Sequence, residues 1–295
     1  MSPADRGFLL LCSHLGNPER NPLTPAQLRT LFHRVRQAPR QPLLREMTPE
    51  DLTALGYARS QAERIWQLMS EEALLDRYLQ KAADCGCTCL CRCDAAYPEL
   101  LRRRLGTETP GCLWLRGDAS LLEQPAVSLV GSRDLWPENQ DFARQAGLQA
   151  ARQGFALVSG NARGADRTAQ DACLEAGGAV ISMVADELAS HSLRERVVYV
   201  SEEDFDVPFS GIRALSRNRL IHALGLKTLV AQSTLRKGGS WDGTVRNLRA
   251  GWSEVFCFDD GLESTLELEQ LGAVRISTED LSDLSRLENL QSRWF

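Results

Sequence analysis

The sequence predicts an α/β protein: a Rossmann-like parallel sheet with helices on both faces, preceded by a small helical module. Three observations carry this. From Ala126 onward short apolar runs alternate with helical segments. The first 80 or so residues instead read as helices, with two N-terminal capping signatures. Glycine-rich turns fall where the apolar runs end. Strands alternating with helices give a parallel sheet with right-handed crossovers. The expected division is a helical module over residues 1–82 and a sheet domain with its lead-in over residues 83–295.

In the module, Thr24-Pro25-Ala26-Gln27 is a capping box with proline at the first helical position, and Thr48-Pro49-Glu50-Asp51 repeats it in acidic form. Leu52, Leu55, Ala62, Ile65, Trp66 and Met69 supply apolar positions at helical spacing, interrupted at Gly56. Next come Cys85, Cys87, Cys89, Cys91 and Cys93, alternating with Gly86, Thr88, Leu90 and Arg92. Strict alternation predicts a strand with all five sulfurs on one face. Same-face neighbours are then about 6.6 Å apart, too far for the ladder to close on one tetrahedral metal. The ladder is therefore expected to be structural, with no metal site. Asp94-Ala-Ala-Tyr97-Pro98 and Leu113-Trp-Leu-Arg116-Gly117 form a connector to the main sheet.

Strands are expected at Val127–Val130, Phe155–Val158, Ala179–Val184, Val197–Val200 and Thr228–Ala231, with Val255–Phe258 closing the series. Helices are expected over 139–153, over 165–175 up to Gly177-Gly178, over 212–224, and from about Trp241.

The 295 residues carry a net charge of −5, which argues against a uniformly positive surface. The distribution is uneven. From Gly211 to Ala250 eight basic residues (Arg213, Arg217, Arg219, Lys227, Arg236, Lys237, Arg246, Arg249) face one acid, Asp242, and the flanking segments are acidic. A local basic stripe suits a focused anion site. No run approaches the roughly 20 apolar residues of a membrane span, and Phe8 to Cys12 is too short for a signal-peptide core. The expected location is the cytoplasm.

Ligands of such sheets lie beyond the carboxyl ends of the strands, which selects four loops. Gly131-Ser132-Arg133 follows the first core strand, offering close backbone approach, a hydroxyl and a guanidinium fork. Ser159-Gly160-Asn161-Ala162-Arg163-Gly164-Ala165-Asp166 joins a strand to a helix whose N-terminal N–H groups attract anions. Asp166 there either caps the helix or holds Arg163 or a ligand hydroxyl. In Ser216-Arg217-Asn218-Arg219 the two arginines are two positions apart on a helix, so one is expected to reach a ligand and the other to serve packing or a partner charge. Lys237-Gly238-Gly239-Ser240-Trp241 precedes another helix. Together the four predict a phosphate-binding site.

Val-Gly131-Ser132-Arg133, Ser159-Gly160-x-Ala162-Arg163-Gly164-x-Asp166 and Arg217-Asn218-Arg219, in this order, resemble the core of the DprA/Smf family of DNA-processing proteins. Asp94-x-x-Tyr97-Pro98 and Arg116-Gly117 match that family's lead-in, and the N-terminal helices match its SAM-like extension. The resemblance implies binding of single-stranded DNA, delivery to a RecA-type recombinase, and self-association as a homodimer. No cofactor is expected. There are departures. Lys237 to Gly243 replaces a Ser-Gly-Ser loop, the stretch between Val184 and Ile212 is short and acidic, and the sequence stops at Phe295 without the winged-helix tail of many members.

The alternative within the superfamily is a sensor of nucleotide-derived ligands or a phosphoribohydrolase-like enzyme. The Pro-Gly-Gly-x-Gly-Thr loop and paired glutamate of the hydrolases are missing. His14, His33, His191 and His222 are scattered outside the four loops, so no catalytic residue is assigned. His222, read as a surface or core residue and not a ligand, is expected to tolerate glutamine with binding unchanged to within about 1 kcal/mol, as for a surface change. Arginine, lysine and glycine N–H contacts suit backbone phosphates and not base sequence. Trp136 and Trp241 are candidates for stacking on bases or for packing.

Overall fold

The structure, a computed structural model, describes residues 1–38 and 43–289; Phe295, where the sequence stops, lies outside the described residues. The N-terminal module contains α1 (Pro3–Cys12), α2 (Pro25–Gln37), α3 (Pro49–Ala54), α4 (Arg59–Ser70) and α5 (Glu72–Asp84). The expected capping boxes open α2 and α3: the Thr24 and Thr48 hydroxyls accept from the Gln27 and Asp51 N–H groups, and the latter side chains accept in return. Leu11, Leu28, Leu31, Leu52, Ala62, Ile65 and Leu68 form the module's own core. Trp66, assigned to the apolar face, is instead 48% exposed.

The module is not a free-standing unit. Leu9 and Leu10 of α1 and Leu75, Tyr78 and Ala82 of α5 pack into the core on one face of the main sheet. The boundary expected at residue 82 thus falls within α5.

Among the described residues nine strands form one sheet: β1 (Cys87–Cys91), β2 (Cys112–Gly117), β3 (Ala126–Val130), β4 (Ala156–Ser159), β5 (Val180–Met183), β6 (Val197–Ser201), β7 (Lys227–Val230), β8 (Glu254–Phe258) and β9 (Val274–Ile276). Their spatial order is β1-β2-β6-β5-β4-β3-β7-β8-β9. The seven strands from β6 to β9 run parallel, and β1 and β2 add an antiparallel edge. The remaining helices are α6 (Glu99–Leu105), α7 (Pro137–Arg152), α8 (Ala165–Glu175), α9 (Gly211–Leu224), α10 (Gly239–Ala250) and α11 (Glu263–Gln270). Helices α7 and α8 cover one face through Phe142, Ala143, Ala146, Ala150, Ala165, Ala169 and Cys173. Helices α6, α9, α10 and α11 cover the other through Leu101, Leu220, Ile221, Leu224, Trp241 and Leu268. Each core strand is therefore buried on both sides, which is why it reads as a continuous apolar run.

Three expectations change. Residues 254–258 do not close the series, because α11 and β9 follow. That C-terminal part is tied to the sheet by Lys227, whose ammonium donates to the carbonyls of Leu284 (2.7 Å), Ser285 (3.0 Å) and Leu287. The connector is two paired strands with α6 between them. The cysteine strand is shorter than its alternation: Cys85 caps α5, and Cys93 lies exposed past the strand's end. Only Cys87, Cys89 and Cys91 sit on β1, turned toward the core while Thr88 is exposed.

Candidate functional site

The loops after β3, β4 and β5 and the start of α9 enclose a cavity of about 240 Å³, lined by Arg133, Gly160–Arg163, Ala185, Asp186, Phe209, Ala214 and Arg217. It lies over the carboxyl ends of β3, β4 and β5. Strand order reverses between β3 and β7, but that crevice is closed. Ser132 N–H donates to the Gln232 carbonyl (2.9 Å), and the Ser240 hydroxyl donates to the Gly131 carbonyl (2.6 Å).

Helix α9 carries three arginines, Arg213, Arg217 and Arg219, at 6%, 8% and 9% exposure, so burial does not tell them apart. Their partners do. Arg213 donates to the Val207 and Pro208 carbonyls (2.6 and 2.7 Å) and pairs with Glu203 (3.0 Å), which shapes the segment leading to Phe209. Arg219 is held by Glu202 and by the Ser216 carbonyl and hydroxyl (2.7 and 2.8 Å), away from the cavity. Arg217 alone has its Nε and Nη1 buried without a hydrogen-bond partner. Burial pushes its guanidinium below the usual value while Asp166 and Asp186 pull it back, and an arginine in that position stays a cation. A buried donor group without a partner is costly and calls for an explanation.

The β4–α8 loop is the bed under this guanidinium. A Cβ at Gly160 would lie 2.6 Å from the Arg217 Cζ, so only glycine leaves room for the arginine to lie across the backbone. Gly164, at φ +86°, precedes α8, where a Cβ would meet the Ser132 and Arg133 carbonyls at 2.5 Å. Asp166 neither caps α8 nor holds Arg163. It sits inside the first turn and accepts from the Ala162 N–H (3.1 Å) and from Gly160, folding the loop back. Burial raises its pKa, opposed by Arg217.

The other expected site residues divide by position. Arg133 is exposed at the cavity's edge, and its side chain forms no ion pair among the described residues. Arg163 also lines the cavity but pairs with Asp134 (2.7 Å), both largely exposed, an interaction of small worth. Gly131 and Ser132 are structural neighbours: Ser132's carbonyl accepts from the Ala165 N–H (3.1 Å), tying the β3 loop to α8. Ser159 is fully buried and accepts from Gln170 (2.6 Å). Asn218 donates to the Gly239 carbonyl (3.0 Å), joining α9 to the Lys237-Gly238-Gly239 loop. Lys237 and Gly238 are exposed, outside the cavity lining.

Sequence reasoning missed Asp186 and Phe209. Asp186, the acid in the lining, accepts from or is paired with His191 Nε2 at 2.9 Å, which lowers its pKa. Its signal was its place just past the third core strand. Phe209, 58% exposed, adds an aromatic edge beside exposed Ile212 and Leu215. Of the two tryptophans, Trp241 is buried in the core and Trp136 is 53% exposed. Of the surface and core readings of His222 the core one holds: it is fully buried, between Thr228 and Asn247 at 3.3 Å from each, with its pKa pushed down to about 3 by burial. No three His, Cys, Asp or Glu side chains among the described residues are placed to hold a metal.

Fold and site together define a doubly wound α/β protein with an arginine-lined cavity at the carboxyl ends of its central strands. The chain belongs to the DNA recombination-mediator protein A family, whose pattern it matches over residues 88–268. It is 29% identical to protein Smf of Escherichia coli over 210 residues, covering 66% of this chain and 54% of that one. To DNA processing protein DprA of Bacillus subtilis it is 27% identical over 202 residues, covering 62% and 67%. The chain thus spans about half the length of the first relative and two thirds of the second. In fold it is similar to DNA processing protein A from Streptococcus pneumoniae, with TM-score 0.69 at 22% identity over 90% of this chain and 99% of that one. It also resembles DNA processing protein A from Helicobacter pylori, in a structure concerned with its single-stranded DNA binding mode, with TM-score 0.56 at 22% identity over 66% and 94%. No helix among the described residues is long and apolar enough to cross a membrane.

Proposed function

We propose that this chain binds single-stranded DNA by its phosphate backbone, in the cavity formed by Arg133, Gly160–Arg163 and Arg217. The observation that carries the reading is the Arg217 guanidinium, desolvated, short of hydrogen-bond partners at Nε and Nη1, and laid across glycine backbone in a cavity. Arg217 lines the cavity, where its cationic guanidinium favours a charge-assisted hydrogen bond to a phosphate oxygen, and exposed Arg133 supplies a second cation at the edge. Family membership and the DNA-binding relative from H. pylori support the same ligand. Phosphates position a strand without reading its sequence, so oligonucleotides of equal length are expected to bind within severalfold of one another.

We read the chain as a binding protein in DNA processing and not as an enzyme, acting in the cytoplasm. Handing the strand to a RecA-type recombinase, and working as a homodimer, are supported by family membership alone. The test is to titrate a labelled single-stranded oligonucleotide and, separately, free nucleoside mono- and diphosphates. Tight oligonucleotide binding without mononucleotide binding supports the reading. Tight binding of a free nucleotide with no binding of the oligonucleotide would assign the cavity to a nucleotide sensor.

A further inference from the structure

We propose that Cys12 and Cys112 are a redox-sensitive thiol pair, whose oxidation to a disulfide locks the N-terminal helical module to the edge of the sheet. Cys12 is the last residue of α1 and Cys112 the first of β2, and their sulfurs lie 3.8 Å apart. A disulfide needs about 2.05 Å, so the two sulfurs must approach by a little under 2 Å. Room for Cys12 comes from Gly111: a Cβ there would lie 2.8 Å from its sulfur. The pair is the centre of a thiol cluster, because Cys91 is the register partner of Cys112 and Cys89 faces the same core from β1. That cluster is not arranged as a metal site among the described residues.

The chemistry favours this pair over the more exposed thiol. Cys93 is exposed, but burial of its sulfur and the Asp5 carboxylate 3.1 Å away push it up to about 12, which keeps it a poor nucleophile. Cys112 accepts hydrogen bonds from the Cys12 and Cys89 thiols, which favours its thiolate over theirs. With hydrogen peroxide as oxidant, the Cys112 thiolate attacks one peroxide oxygen. The O–O bond breaks, a sulfenic acid forms on Cys112, and the departing hydroxide takes up the proton that Cys112 released, giving water. The Cys12 sulfur then attacks the Cys112 sulfur. The S–S bond forms, the S–O bond breaks, and the leaving hydroxide takes the Cys12 proton as a second water. Two thiols lose two electrons and one peroxide gains them. The bridge closes 100 residues of chain, from the end of α1 through α2 to α6 to the start of β2.

The test oxidises the full chain with dilute hydrogen peroxide, blocks remaining thiols with N-ethylmaleimide, and maps disulfides by mass spectrometry without reduction. A Cys12–Cys112 cross-link is expected, absent in Cys12→Ser and present in Cys93→Ser and Cys257→Ser. The oxidised wild-type chain should melt about 5–15 °C above the reduced one, as closing so long a loop implies. Because the mapping uses the wild-type chain, it decides even where a variant folds poorly. Cross-links joining Cys89 to either residue, links only between chains, or thiols that all remain free would each overturn the proposal.

Discussion

At the scale of single residues, stability and binding test the role of Arg217 separately. Arg217 is 8% exposed and its Nε and Nη1 lack hydrogen-bond partners, so the charges of Asp166 and Asp186 repay its desolvation only in part. Arg217→Met keeps the buried stem and removes the charge. Urea unfolding should show stability within about 1 kcal/mol of the wild type, the desolvation cost removed offsetting the counter-charge that buried Asp166 loses, while single-stranded DNA affinity falls by about 1.5–3 kcal/mol, the scale of hydrogen bonds to a charged group. A variant that lost stability and kept affinity would place Arg217 among the structural arginines, with Arg213 and Arg219. His222 offers the contrast. Its ring is fully buried between α9, β7 and α10, so His222→Ala should cost about 1–3 kcal/mol of stability, measured by the same unfolding, because it leaves Thr228 and Asn247 short of a partner. The two residues sit five positions apart on one helix; environment alone assigns one to the ligand and the other to the core.

At the scale of elements, the β4–α8 loop sets the position of α9's arginine. Gly160→Ala places a methyl group where the Arg217 guanidinium lies, while the fold of the strand beneath is untouched. Oligonucleotide affinity should drop about tenfold or more with an unchanged circular dichroism spectrum; unchanged affinity would show that the loop does not support the site. Most of these elements were legible in the sequence. Runs such as Val127–Val130 and the span 165–175 show because a doubly covered strand is apolar throughout and a helix stops at Gly177-Gly178. Short β9 and α6 were hidden by their length and by charge, as in Arg102-Arg103-Arg104. The site was legible as loops but not as a division of labour among side chains. Nothing in Ser216-Arg217-Asn218-Arg219 says that Glu202, fifteen residues upstream of Arg217, would take Arg219, or that Trp241 would turn inward. Partner choice depends on strands brought together from distant sequence, and composition does not record it.

At the scale of the whole molecule, the module and the sheet meet at Asp204. Its Oδ1 accepts from the Ser13 hydroxyl (2.7 Å) and the Trp114 indole (3.1 Å), its Oδ2 is buried without a partner, and beside it Tyr78 and Lys81 of α5 bind Asp206 at 2.6 and 2.7 Å. Burial raises Asp204 to about 6, above the roughly 3.9 of an unfolded aspartate. The sign follows. The folded state holds this proton more tightly, so the contribution is full below pH 4 and is lost as pH rises through 6, by up to about 3 kcal/mol. Asp204→Asn removes that titration. Urea midpoints taken from pH 4 to 7.5 should show the wild type losing ground to the variant as pH rises; a constant difference would mean that Asp204 keeps an ordinary pKa.

The central claim is that the strand's phosphates lie at the carboxyl ends of β3 to β5, and a salt titration addresses it most directly. Single-stranded DNA affinity is measured from low to moderate salt for the wild type, Arg217→Ala, Arg133→Ala and an Arg29→Ala/Arg36→Ala pair on α2, after each variant is shown to fold. Each phosphate contact to a single strand releases about 0.7 of a counterion. The account predicts that Arg217→Ala and Arg133→Ala each weaken binding and flatten the slope of log affinity against log salt by about that amount, while the α2 pair changes neither. Loss of affinity and slope in the α2 pair, with both cavity variants binding like the wild type, would contradict it and move the DNA to the helical module.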